Sequence, residues 1–127
     1  MANKEGKMIT EQDFSLDTLV QGMKNPELGC IVSFIGVVRD DEGTKGMEVE
    51  IDEQTAKTEL EQLKREALEK FDIESVEIVH RKGLLDVSDS IVAILVGAGH
   101  RKEAFRACEH LIDVLRISGS IRLTDRK

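Results

Sequence analysis

Two short runs constrain this chain more than anything else in it: Cys30-Ile31-Val32-Ser33-Phe34-Ile35-Gly36-Val37-Val38 and Ile91-Val92-Ala93-Ile94-Leu95-Val96-Gly97-Ala98. The first is dominated by β-branched residues. In both, apolar side chains fall on each of the two alternating faces, the pattern of strands covered on both sides. Neither run reaches the roughly 18 to 20 residues that a membrane-spanning helix needs. A fold built on them packs helices against a sheet. Gly36, inside the first run, marks a bulge or a close neighbour.

Around these runs the hydrophobic period changes repeatedly. Ser15 is placed to cap a helix that extends to about Lys24, and Pro26 discourages its continuation. After the polar, turn-rich loop 40–46, Met47, Val49 and Ile51 alternate with Glu48, Glu50 and Asp52, a strand with one wet face. The two strands flanking that loop are expected to form a hairpin. Ala56, Leu60, Leu63, Ala67 and Phe71 have helical spacing.

Val76, Ile78 and His80 then alternate with Glu77, Val79 and Arg81, a third strand ended by Gly83 and followed by a turn at 86–89. The run from Ile91 is the fourth strand. A last helix buries Phe105, Cys108, Leu111, Ile112 and Leu115, with Gly119 as its stop.

The order helix, two strands, helix, two strands, helix contains no repeat or linker. It predicts one α+β domain over 1–127, with an antiparallel or mixed sheet, a flexible N-terminus over 1–8 and a basic tail over 119–127.

Composition narrows the function. A chain of 127 residues supports one core, and 40% hydrophobic with 34% charged residues is a folded soluble composition. Net charge of −7 and 3% aromatic content, with no Trp or Tyr, argue against nucleic acid, which rewards cations and stacking rings. No signal-peptide core opens the sequence, so a cytoplasmic protein without a membrane partner is expected. Cys30 and Cys108 lack metal-ligand spacing and read as buried thiols, with no disulfide, metal or cofactor implied.

Charge is unevenly spread. Residues 40–77 carry 14 acids against 5 Lys or Arg, whereas 116–127 carry Arg116, Arg122, Arg126 and Lys127 against Asp125. An acidic solvated helix with a basic tail explains this, and so does a tail that supplies part of an anion site.

The best chemical constellation is Gly97-Ala98-Gly99-His100-Arg101 at a strand-to-helix junction, where free N–H groups, His and Arg suit phosphate or carboxylate. The same residues also suit tight packing at the glycines and a solvated first helical turn. Arg39, ending the first apolar run, either pairs with Asp40 or Asp41 or points into a pocket. His80 reads as a partly buried histidine, Arg81 and His110 as surface residues. No nucleophile with a base, and no carboxylate pair, stands out.

Read together, the segments resemble the large, catalytic subunit of molybdopterin synthase, the MoaE family. Gly29-Cys30-Ile31-Val32-Ser33-Phe34-Ile35-Gly36-Val37-Val38-Arg39 is similar to its Gly-x-x-Val-x-Phe-x-Gly-x-Val-Arg strand. His80-Arg81-Lys82-Gly83 is similar to His-Arg-x-Gly, and His100-Arg101 with Ala104-Phe105 to His-Arg-x-x-Ala-Phe. The resemblance spans roughly residues 10 to 118.

It implies an α/β-hammerhead, an α+β fold with a mostly antiparallel sheet and packed helices, usually a homodimer. It also implies a reaction. A small ubiquitin-like partner inserts its C-terminal glycine thiocarboxylate, and sulfur passes to cyclic pyranopterin monophosphate, giving molybdopterin for the molybdenum cofactor.

By the same resemblance, Arg39, His100 and Arg101 contact substrate and Val37 and Val38 adjoin them. Arg116 occupies the position of a catalytic lysine, Leu123 that of a second one, and Arg122, Arg126 or Lys127 is a possible substitute. Arginine keeps the charge but cannot readily become a neutral amine. A non-catalytic homologue that binds the pterin phosphate or the partner's tail is the alternative.

Overall fold

The computed structural model describes residues 7–127. Its elements in chain order are β1 (Ile9–Thr10), α1 (Leu16–Met23), β2 (Cys30–Val37), β3 (Gly46–Ile51), α2 (Glu53–Lys70), β4 (Ser75–Arg81), β5 (Gly83–Asp86), β6 (Ser90–Ala98), α3 (Arg101–Arg116) and β7 (Ile121–Arg126). They form two sheets. One has the order β1-β4-β6-β2, the other β5-β3-β7. All pairings are antiparallel except β1 with β4.

The two apolar runs, β2 and β6, lie side by side from Cys30 opposite Ala98 to Val37 opposite Ser90. Both faces of this first sheet are covered, as their composition requires. On one face Val76, Ile78, Ile94 and Val96 join Leu60, Leu63, Ala107 and Leu111 of α2 and α3 in the main core. On the other, Val79, Ala93 and Leu95 meet Leu19 and Met23 of α1. Ser15 caps α1 as expected, its Oγ accepting from Thr18 N at 3.2 Å.

Gly36 meets both of its expectations. The register shifts between Gly36 and Val37, and a Cβ on Gly36 would lie 3.0 Å from Val92 Cγ1.

Several expectations need correction. β2 and β3 do not pair; they belong to different sheets, because β2 satisfies its backbone on β6 while β3 is held between β5 and β7. The expected end at Gly83 is instead a corner. Its φ of +101°, which glycine adopts without a steric penalty, passes the chain from β4 in the first sheet to β5 in the second.

The basic tail is a strand. Ile51 opposes Ile121 and Gly46 opposes Arg126, while Ser118 and Ser120 both donate hydroxyl hydrogen bonds to Glu59 of α2 and fix the preceding turn. Helix α3 ends at Arg116, with Ile117 as its cap, before Gly119 is reached. Of the N-terminal segment expected to be flexible, residues 1–6 lie outside the described residues. Met8 is anchored, its carbonyl accepting from His80 N at 2.7 Å.

Candidate functional site

The register of β2 and β6 decides how the sequence-predicted residues are grouped. Arg39 follows the Val37 end of β2, whereas His100 and Arg101 follow Ala98, beside Cys30 at the opposite end. Nine residues of strand separate the two ends, about 30 Å. One chain therefore does not gather Arg39, His100 and Arg101 into a single site.

At the first end, Val38 is buried and locked to the 86–89 turn: it donates to Asp89 O at 2.9 Å and accepts from Ser88 N at 2.7 Å. That anchorage holds Arg39 at the surface, 82% exposed, where it pairs with Asp41 at 3.2 Å. Val37 is 52% exposed. Lys127 reaches the same loop, donating to Asp41 O at 3.4 Å and Thr44 Oγ1 at 3.5 Å.

At the second end, His100 is the N-cap residue of α3 but makes no side-chain capping bond, and both it and Arg101 are exposed. A Cβ on Gly97 would strike Ser75 Oγ and Leu28, so that glycine serves packing; the space over Gly99 is open. Glu103 in the first turn accepts from Asp72 N at 3.2 Å and from Arg106 at 2.6 Å, and these bonds hold its carboxyl below the usual range.

Beside the Arg39 end lies a cavity of about 350 Å³. Its floor is the first sheet, with Phe34 and Gly36 of β2, His80 of β4 and Val92 of β6. One wall is the last turn of α3, Ile112, Leu115 and Arg116; the other is β7, Ile121 and Leu123. The two positions that the resemblance matched to lysines, Arg116 and Leu123, thus face one cavity although seven residues apart. A helix end and the following strand turn back on each other here.

Lys127 does not line this cavity, because β7 carries it to the 41–44 loop. Among the described residues no group of His, Cys, Asp and Glu is arranged to hold a metal ion. Cys108 is buried, which pushes its thiol up and away from thiolate chemistry; Cys30 is half-buried, and both are free.

His80 is the residue whose place sequence reasoning missed. It is 3% exposed, not partly buried, and its Nδ1–H donates to Arg81 O at 2.9 Å. Desolvation pushes its pKa below the ordinary value, outweighing the opposite pull of the Arg81 carbonyl, so the ring is neutral at pH 7. The signal was present in the alternation Val76, Ile78, His80, which puts the imidazole on the apolar face.

Arg81 is not a free surface residue either. Its guanidinium donates to Ser90 O at 3.3 Å and Glu11 O at 3.1 Å. His110 is half-buried, its ring 5.4 Å from that of Phe71.

Fold and site together define an α+β domain of two mostly antiparallel sheets, with a small, largely apolar cavity edged by one arginine. The family described as MoaE protein matches residues 9–117. The molybdopterin synthase catalytic subunit of Ralstonia nicotianae is 35% identical over 113 residues, covering 85% of this chain and 64% of that protein. The chain thus spans just under two thirds of that relative's length.

Among solved structures, molybdopterin synthase from Staphylococcus aureus superposes with a TM-score of 0.88 at 31% identity, covering 94% of this chain and 89% of that one. A complex of subunits 1 and 2 of the molybdopterin-converting factor from Helicobacter pylori contains a chain of the same fold, with a TM-score of 0.79 at 20% identity and coverage of 92% and 82%. This chain belongs to the MoaE family.

Proposed function

We propose that this protein acts in molybdenum cofactor biosynthesis as the large subunit of a molybdopterin synthase. It transfers sulfur from the C-terminal thiocarboxylate of a small ubiquitin-like subunit to cyclic pyranopterin monophosphate. The observation that carries this reading is the largely apolar cavity against β2 and α3, edged by the Arg116 cation. Substrate phosphate and partner carboxyl are both anions, so fixed cations orient them and stabilise charge that develops during transfer.

The separation of Arg39 from His100 and Arg101 supports a homodimeric site. β2 is an edge strand of the first sheet. Antiparallel pairing of two copies of β2 about a two-fold axis carries Arg39 of one copy to the Gly29 end of the other, beside that copy's His100 and Arg101.

The test uses purified protein, thiocarboxylated small subunit and pterin substrate, with dithiolene formation as readout. Arg39→Ala and Arg101→Ala are each expected to lower turnover by about 100-fold. Refolded together in equal amounts, they recover about a quarter of wild-type activity, because half the dimers are mixed and each mixed dimer has one intact site. No recovery sinks the shared site.

A second reading, a non-catalytic homologue that holds pterin phosphate or the partner's tail, is favoured by Arg116 and Leu123 where an amine nucleophile or base is expected. Binding without any dithiolene product selects it.

A further inference from the structure

The cavity between β4, β6, α3 and β7 contains one polar side chain that the sulfur-transfer reading leaves unused. His80 points from the sheet into an apolar pocket whose remaining floor is Phe34, Gly36, Val92 and Ile94. Its Nδ1–H is committed to Arg81 O at 2.9 Å, which fixes the tautomer and leaves Nε2 as an unprotonated acceptor. Among the described residues Nε2 has no hydrogen-bond partner. His80 as a whole is only 3% exposed, and it lines the cavity, so a donor that enters there meets an acceptor with little competing water.

The cavity is asymmetric in chemistry. Among the described residues, Arg116, on the exposed end of α3, is the only other charged or titratable lining residue. β2, β6 and β7 contribute only Phe34, Gly36, apolar aliphatics and no charge. The site therefore offers a cation at its rim and a lone neutral acceptor at its floor. Its volume of about 350 Å³ suits a small molecule.

We propose that His80 Nε2 is the specificity-determining acceptor of this cavity. It receives an N–H of a flat heterocycle whose phosphate is held at the rim by Arg116. This rests on the assignment of a pterin phosphate as substrate and deepens it. His80 binds the ring, Arg116 joins the cations that bind the anion, and a phosphate without the ring does not engage His80.

The experiment compares binding of cyclic pyranopterin monophosphate and of inorganic phosphate to the purified full chain by calorimetry. His80→Asn keeps a donor for Arg81 O and removes the distal acceptor. It is expected to weaken pterin binding by about 10-fold or more while leaving phosphate binding unchanged. His80→Gln, whose amide oxygen reaches the Nε2 position, is expected to restore most of that loss.

Unchanged pterin affinity in His80→Asn overturns the proposal. Equal losses for pterin and phosphate overturn it too, since they report a damaged fold. Should His80→Asn fail to fold, 15N NMR of the wild-type imidazole decides. Pterin binding is expected to shift the Nε2 resonance and phosphate to leave it in place; an unmoved Nε2 signal in the pterin complex overturns the proposal. Failure of the underlying functional reading looks different: the wild-type chain then does not bind the pterin at all.

Discussion

The two sheets of this protein are built to different standards. In the first, β6 is buried at every position from Ile91 to Ala98 and is paired on both edges, by β2 and β4. In the second, β3, β5 and β7 are four to six residues long; Val49 and Leu85 are buried, but Leu84 and Leu123 are largely exposed. The first sheet holds the fold together; the second closes one wall of the cavity. Site and stability are thus partly separable, since apolar burial scales with area and the thin sheet, with Val49 and Leu85 in the core, contributes less of it than the first.

The sharpest way to break this comparison is to remove equal chemistry from each sheet. Leu95 is fully buried against α1, and Leu95→Ala is expected to destabilise by about 2–5 kcal/mol in urea unfolding. Ile121, half-buried on β7, is expected to lose only about 1–2 kcal/mol as Ile121→Ala, with faster hydrogen exchange confined to β7 and β3. Equal losses at the two positions would mean that the sheets unfold as one equally packed unit.

The smallest effect concerns Arg39. Its partner Asp41 is exposed, and Asp41→Asn is expected to change stability by less than about 0.5 kcal/mol in the same unfolding assay. A larger loss would show that the loop beside the cavity is held by charge, not by the backbone bonds of Val38.

Much of this was legible in the chain. The doubly apolar runs identified β2 and β6, and helical spacing identified α2 and α3, because burial on a pleated or helical surface leaves a period in the sequence. Short strands leave almost none. β5 has only four residues and β7 reads as a run of charges around Ile121 and Leu123, so both were read as turn or tail. The hairpin expected of β2 and β3 failed for a related reason: adjacency in sequence favours a partner, but β2 gains more by lying against an equally apolar β6.

The separation of site residues was less legible still. Gly97 to Arg101 and Arg39 looked like members of one anion site, and only the antiparallel register reveals that a full strand lies between them. The basic tail, read as one patch, divides its cations instead. Arg126 turns to Asp86 at 3.6 Å, Lys127 to the 41–44 loop, and Arg116 alone stays on the cavity.

The sequence by itself determined most of the core, the class of fold and the family, because alternation, helical period and motif order are local properties written along the chain; Phe105, expected on the buried face of α3, is instead 59% exposed. Tertiary structure alone decided which residues share a cavity. It made a structural-looking strand histidine the polar floor of that cavity, because burial, tautomer and facing partners depend on contacts between segments far apart in sequence.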